Sequence, residues 1–184
     1  MPLGKAKPSV GPWHAPASFA MVAHVPYDPL FHIVLHQPEI PQNTGNIGRT
    51  CVAVGAKLWL VRPLGFRLDE QRLARSGLDY WQHLNWETVD QWEDAKTQLS
   101  ADRTWFFTKT AKRVYTDTSF QPGDALVFGS ETGGLPASLL EFAGDRALKL
   151  PMRLEVRSLN LASCVCAVSY EALRQINETK NEDL

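Results

Sequence analysis

Three short stretches of this chain join glycine, amide and charged side chains at spacings that could do chemistry. The first reads Pro41-Gln42-Asn43-Thr44-Gly45-Asn46-Ile47-Gly48-Arg49-Thr50. Its glycines let backbone approach a ligand or another chain closely, and its asparagines offer both donors and acceptors. Arg49 follows Asn43 by six residues. Taken alone, the same residues also suit an ordinary helix start, with an Asn cap and an arginine bonded to a structural carboxylate. The second stretch, Phe128-Gly129-Ser130-Glu131-Thr132-Gly133-Gly134-Leu135-Pro136, lies between a strand-like and a helix-like pattern. A glycine-rich turn there normally signals nucleotide or phosphate binding at a helix N-terminus. It lacks the Lys-Ser/Thr pair of a P-loop and the G-x-G-x-x-G spacing, and Glu131 would repel phosphate. A ligand carrying a cation or hydroxyls fits better; a tight strand-to-helix connection is the competing account. The third is Leu150-Pro151-Met152 followed by Arg157-Ser158-Leu159-Asn160-Leu161-Ala162. Ser158 reads as the N-cap of a following helix, which leaves Asn160 inside the first turn unexplained.

These stretches need elements to hold them. Short apolar runs at 31–36, 57–61, 104–108, 125–128 and 147–150 read as strands. Helical patterns occupy 42–54, closed by Gly55, then 68–76, 89–99, 136–142 and 159–177. Strands that are nearly continuously apolar and alternate with helices indicate a parallel sheet with helices on both faces. Ligands bind such sheets outside the carboxyl ends of the strands, where all three stretches fall.

Composition bounds the rest. At 184 residues the chain suits one well-buried domain, spanning 30–184, and 44% hydrophobic with 21% charged residues is globular. Residues 1–29 carry six prolines without a sustained period and predict a flexible arm. The apolar run 17–25 is short and follows four prolines, a poor signal-peptide core, and no stretch is long enough to span a membrane. Cys51, Cys164 and Cys166 have neither the parity of a disulfide framework nor zinc-site spacing, which points to a reducing cytoplasm. His32, His36 and His83 lack ligand spacing, so no metal is expected. The net charge of −1 offers no global field for nucleic acid, and any such partner must be held by local patches. Candidate patches are Lys109, Lys112 and Arg113; Arg62 and Arg67; and Arg153 and Arg157, each on an expected post-strand loop.

In this order, the three stretches resemble the motifs of the SPOUT RNA methyltransferases, most closely the TrmL (YibK) branch of tRNA (cytidine/uridine-2′-O)-methyltransferases acting on the wobble nucleotide. The resemblance runs from about residue 31 to 175 and includes Arg75-Ser76-Gly77-Leu78-Asp79-Tyr80. It implies an α/β fold whose parallel sheet ends in a C-terminal trefoil knot, which nothing in composition or periodicity predicts. It implies S-adenosylmethionine as cofactor, held by Phe106, Thr108, Gly129, Leu150, Met152, Ser158 and Leu161, with backbone groups reading the adenine and Leu150 and Leu161 as apolar walls. It also implies tRNA, through its anticodon region, as partner, and a homodimer whose active sites are completed across the interface. Tyr80, Trp81 and Trp86 could serve that interface or simply the core.

The family assigns the general-base role to the arginine matching Arg49, while Asn43, Glu131, Ser158 and Asn160 match positions that hold the hydroxyl and order the loops. A guanidinium normally keeps its proton. Arg49 is therefore expected to position the hydroxyl or an adjoining phosphate, and the proton acceptor stays open, an RNA phosphate being one candidate. The segment Arg153-Leu154-Glu155-Val156 departs from the small or polar residues expected there. The competing functions are methylation of another tRNA position or of ribosomal RNA, a non-catalytic RNA-binding protein retaining the fold, and a different nucleotide-binding α/β enzyme.

Overall fold

The computed structural model describes residues 29–67 and 79–182. The proline-rich arm and the expected helix at 68–76 lie outside them.

Seven strands form one parallel sheet: β1 (His32–His36), β2 (Lys57–Val61), β3 (Trp86–Val89), β4 (Thr104–Phe107), β5 (Arg113–Val114), β6 (Ala125–Phe128) and β7 (Ala147–Lys149). Their order is β3-β2-β1-β6-β4-β7-β5, with every pairing parallel. The helices are α1 (Pro41–Val54), α2 (Trp92–Lys96), α3 (Ala137–Ala143) and α4 (Leu161–Glu182). A short 3-10 helix, Asp79–His83, lies against α1.

Alternation along the strands sorts side chains to two faces. Ile33, Leu35, Leu58, Leu60, Trp105, Phe107, Leu126 and Phe128 point to one core, closed by Ile47, Cys51 and Val54 of α1 and Val165, Val168, Ala172 and Ile176 of α4. Val34, Trp59, Val61, Phe106 and Val127 point to the other, closed by Trp92 and Ala95 of α2 and Leu139 and Ala143 of α3. Burial on both faces explains why the strands read as apolar runs rather than as alternating ones.

Two sequence expectations change. The helical pattern placed at 89–99 shrinks to a helix at 92–96, and its first residue, Val89, instead ends a strand that begins at Trp86. β3 pairs with β2 from Leu58↔Trp86 to Val61↔Val89, and α2 begins only after Gln91, whose N–H donates to Asp94. β3 is an edge strand with only Val89 buried, so its polar residues concealed it from a search for apolar runs. The last helix begins at Leu161 rather than 159, which reassigns its cap as described below.

Candidate active site

β1 and β6 are neighbours in the sheet, and the chain leaves them in opposite directions, toward β2 and toward the β4–β7 side. Their carboxyl ends therefore flank a switch point, where open α/β sheets leave a crevice. The first two glycine-containing stretches emerge there side by side.

Glu131 ties them together. Its carboxylate accepts hydrogen bonds from the Glu39 N–H (2.8 Å), the Ile40 N–H (3.2 Å) and Asn43 Nδ2 (2.9 Å). Local sequence creates the need: α1 starts with Pro41, and Ile40 at the N-cap position has no side-chain cap to offer. A carboxylate from a remote loop satisfies the orphan donors and suits the positive end of the helix. Thr132 Oγ1 adds a 2.7 Å hydrogen bond to the Glu39 carboxylate.

The third stretch joins through Asn160. Its Nδ2 donates to Asn43 Oδ1 (2.9 Å), while its Oδ1 accepts the Ser163 N–H (3.2 Å). Asn160, not Ser158, is thus the side-chain cap of α4. Asn43 is 6% exposed and uses both ends of its amide, so one relay, Asn160 to Asn43 to Glu131, connects all three stretches. Ser158 is exposed and takes no part in it.

The glycines turn out to admit the protein's own chain. Ser130 and Gly134 pair as an antiparallel bridge, with Gly134 at φ 68. A Cβ on Gly129 would collide with the backbone of Gly134 and Leu135. Any larger residue at 129 therefore breaks the turn itself, so it cannot serve as a selective probe of a ligand pocket. On α1, Gly48 admits Trp81, whose ring would lie 2.7 Å from a Cβ placed there. Gly45, one helical turn earlier, accepts a 2.9 Å hydrogen bond from the Tyr80 hydroxyl.

Arg49 stands apart from the relay. Six residues beyond Asn43, it lies about 9 Å further along α1 and on a different helical face. It is exposed, and its guanidinium carbon lies 4.9 Å from the centre of the Tyr80 ring. The sequence suggests Tyr80 only for an interface or the core, because its contact with Arg49 spans 30 intervening residues. Trp81 and Trp86, weighed for an interface, pack in this chain's own core, their rings 5.7 Å apart.

Among the residues matched to cofactor binding, Leu150 and Leu161 are half-buried against the core under α1 and α4, and Met152 is half-buried. Phe106 is fully buried on the opposite face, in edge contact with Trp92 and Phe142, so its side chain cannot line a pocket. Thr108 hydrogen-bonds Leu148 O through its N–H and Thr110 through its hydroxyl. It borders a cavity of about 470 Å³ with Lys112, Arg113 and Asp145. Within residues 151–159 the only backbone hydrogen bond runs from the Val156 N–H to Arg153 O. The loop's other amides remain open to a ligand that is read through backbone groups.

The basic patches hold in part. Lys109, Lys112, Arg67 and Arg157 are exposed on post-strand loops. Arg113 instead lies in β5 and donates to Asp117 O (2.7 Å), Arg62 lies 3.6 Å from Asp90, and Arg153 pairs with Glu155 at 3.2 Å. Among the described residues no three His, Cys, Asp or Glu side chains are grouped to hold a metal ion, and no helix is long and apolar enough to cross a membrane.

The chain is similar in sequence and fold to known proteins. The tRNA (cytidine(34)-2′-O)-methyltransferase of Burkholderia cenocepacia is 45% identical over 149 residues, covering 79% of this chain and 96% of its own length. The enzyme of that name from Methylovorus glucosotrophus is 43% identical over 147 residues, covering 79% and 96%. A solved structure concerned with 2-OH methylation of C/U34 on tRNA superposes with a TM-score of 0.72 at 44% identity, over 79% of this chain and 95% of that one. The SpoU methyltransferase AviRb of Streptomyces viridochromogenes, in complex with AdoMet, gives a TM-score of 0.68 at 25% identity, over 83% and 59%. The SpoU rRNA methylase family model matches residues 30–170, which takes in all three stretches and the relay that joins them: the chain is a methyltransferase and belongs to that family.

Proposed function

We propose that this protein transfers a methyl group from S-adenosylmethionine to the ribose 2′-hydroxyl of the tRNA wobble nucleotide, C34 or a modified U34. The observation that carries the reading is 43–45% identity to enzymes of that name over 96% of their length, with the three motif stretches intact.

The cofactor fits the residues present. Half-buried Leu150, Met152 and Leu161 offer apolar walls, and the open amides of residues 151–159 offer donors and acceptors at the same place. When bound, S-adenosylmethionine supplies an activated methyl group on a sulfonium. The protein's task is then to hold a weak nucleophile in line and let its proton leave. The relay of Asn160, Asn43 and Glu131 fixes the loops against one another, Ser158 presents an exposed hydroxyl, and Arg49 orients the hydroxyl or adjoining phosphate by donating hydrogen bonds. The Tyr80 ring face attracts the guanidinium and holds its donors in place.

The chain's path supports a trefoil knot. β7 lies between β4 and β5, which both precede it and are joined by residues 108–112, so the last strand enters the sheet between two earlier ones, the strand order that such a knot requires. Two observations favour a homodimer with shared sites. Arg49 lies away from the relay of its own subunit, and Leu154, Val156 and Leu159 are exposed apolar residues in and beside the third stretch. Anticodon-region tRNA would lie along Lys109, Lys112, Arg67 and Arg157, and the three free cysteines suit the cytoplasm where tRNA is processed.

The test supplies purified protein with methyl-labelled S-adenosylmethionine and an unmodified tRNA pool, then locates the label by nuclease digestion and mass spectrometry. A 2′-O-methyl at the wobble position is expected. Label elsewhere moves the target; no label despite cofactor binding overturns the reading. Light scattering is expected to give twice the 20.6 kDa chain mass.

A further inference from the structure

We propose that Tyr80 is the positioning residue for Arg49, acting through the backbone and the side chain at once; this rests on the functional reading above. The Tyr80 hydroxyl donates to Gly45 O at 2.9 Å. In α-helical geometry that carbonyl is also the acceptor for the Arg49 N–H, four residues on. The same tyrosine places its ring face 4.9 Å from the Arg49 guanidinium carbon. Tyr80 therefore grips both ends of the arginine: the turn from which the side chain leaves the helix, and the charged group at its tip.

Sequence makes the grip possible. Gly45 and Gly48 are one turn apart and strip the side chains from this part of α1, so the 3-10 helix Asp79–His83 docks directly on the backbone. Trp81 sits against Gly48 and sets the register that brings Tyr80 over Arg49. An unsupported arginine loses much of its side-chain freedom on meeting substrate; one stacked on a ring has already lost part of it. Arg49 is exposed, and no salt bridge holds it among the described residues, so the tyrosine decides where its donors point.

Three variants test this. Tyr80→Leu removes ring and hydroxyl, Tyr80→Phe keeps the ring, and Trp81→Phe disturbs the dock without touching Arg49. Tyr80→Leu is expected to lower kcat between about tenfold and a hundredfold, with KM for tRNA and cofactor affinity by calorimetry changed less than about twofold. Tyr80→Phe is expected to restore kcat to within about threefold of wild type, and Trp81→Phe to lower Tm more than it lowers kcat. A second readout is independent of methyl transfer. The Arg49 side-chain NMR resonances, assigned with Arg49→Lys, should be shifted upfield by the ring in wild type and Tyr80→Phe and released in Tyr80→Leu. Unchanged kcat in Tyr80→Leu, or the absence of a ring shift in wild type, overturns the proposal. A wild-type protein that methylates no tRNA overturns the functional reading, and with it the positioning role of Tyr80 in the reaction, even if the ring shift shows the contact itself.

Discussion

At the amino end of the sheet, Asp124 gathers the segments that precede β4 and β6. Arg103 grips its carboxylate through two 2.7 Å hydrogen bonds, Trp105 Nε1 donates at 2.9 Å and the Gln121 N–H at 3.1 Å, and the side chain is 1% exposed. Burial raises the carboxyl's pKa against the opposing pull of these donors. At the carboxyl end, Glu131 gathers three donors in a similar way, but with neutral partners and in a half-exposed setting. The relay it begins ends beside exposed Ser158, and Arg49 stands clear of it. A carboxylate at one end is enclosed by cation and indole, and the network is complete. At the other end the carboxylate only fixes loops, and the remaining donors face outward. Completeness there would leave nothing to meet a substrate.

The sharpest way to break this contrast is Arg49→Ala. Turnover should fall between about a hundredfold and a thousandfold, the scale of losing a donor that acts on the reacting group. Unfolding free energy should change by less than about 1 kcal/mol, since only an exposed cation–π contact is lost. Single-turnover kinetics beside a thermal melt would check both; a variant that still turns over assigns the role elsewhere.

Asp124→Asn should do the reverse. It leaves Arg103 without its charge partner and costs about 3 kcal/mol, or roughly 6–12 °C in Tm for a chain of this size. Methyl transfer at 20 °C should stay near wild type. Loss of activity without loss of stability would show that the amino end does more than hold the sheet.

Glu131→Gln probes the middle ground. An amide has one acceptor oxygen where three donors converge, so about 2 kcal/mol, or roughly 4–8 °C, should be lost. Cofactor affinity should fall as well, because the loops of the first two stretches separate; calorimetry with an unchanged Kd would confine Glu131 to helix capping.

The smallest effect concerns His36, which ends β1 just before the site. Burial holds its pKa below the ordinary 6.5. Between the folded value and 6.5 the unfolded chain binds more protons, so stability rises with pH across that window. The contribution is complete above pH 6.5 and is lost as pH falls below it, with a slope of at most about 1.4 kcal/mol per pH unit. His36→Gln should flatten that part of a denaturant-melt pH series; an unchanged slope would assign it to another group.

How much of this was legible in advance follows from the range of the forces. Runs such as residues 57–61 and 125–128 announced buried parallel strands because both faces are covered, and Gly55 announced the end of α1, which it closes at φ 71. β3 escaped because an edge strand need not be apolar. Ser158 looked like the cap of α4 because capping propensity is local. Asn160 took that role because its amide also had Asn43 to reach. The sequence by itself determined the strand and helix alternation, the three loops and the residue types they carry, since these depend on neighbours within a turn or two. Only the tertiary structure decided that Glu131 caps a helix 90 residues away, that Gly48 makes room for Trp81, and that Arg49 rests on Tyr80 rather than beside Asn43. Those contacts arise from where a parallel sheet sets the ends of its strands, and no local spacing encodes that.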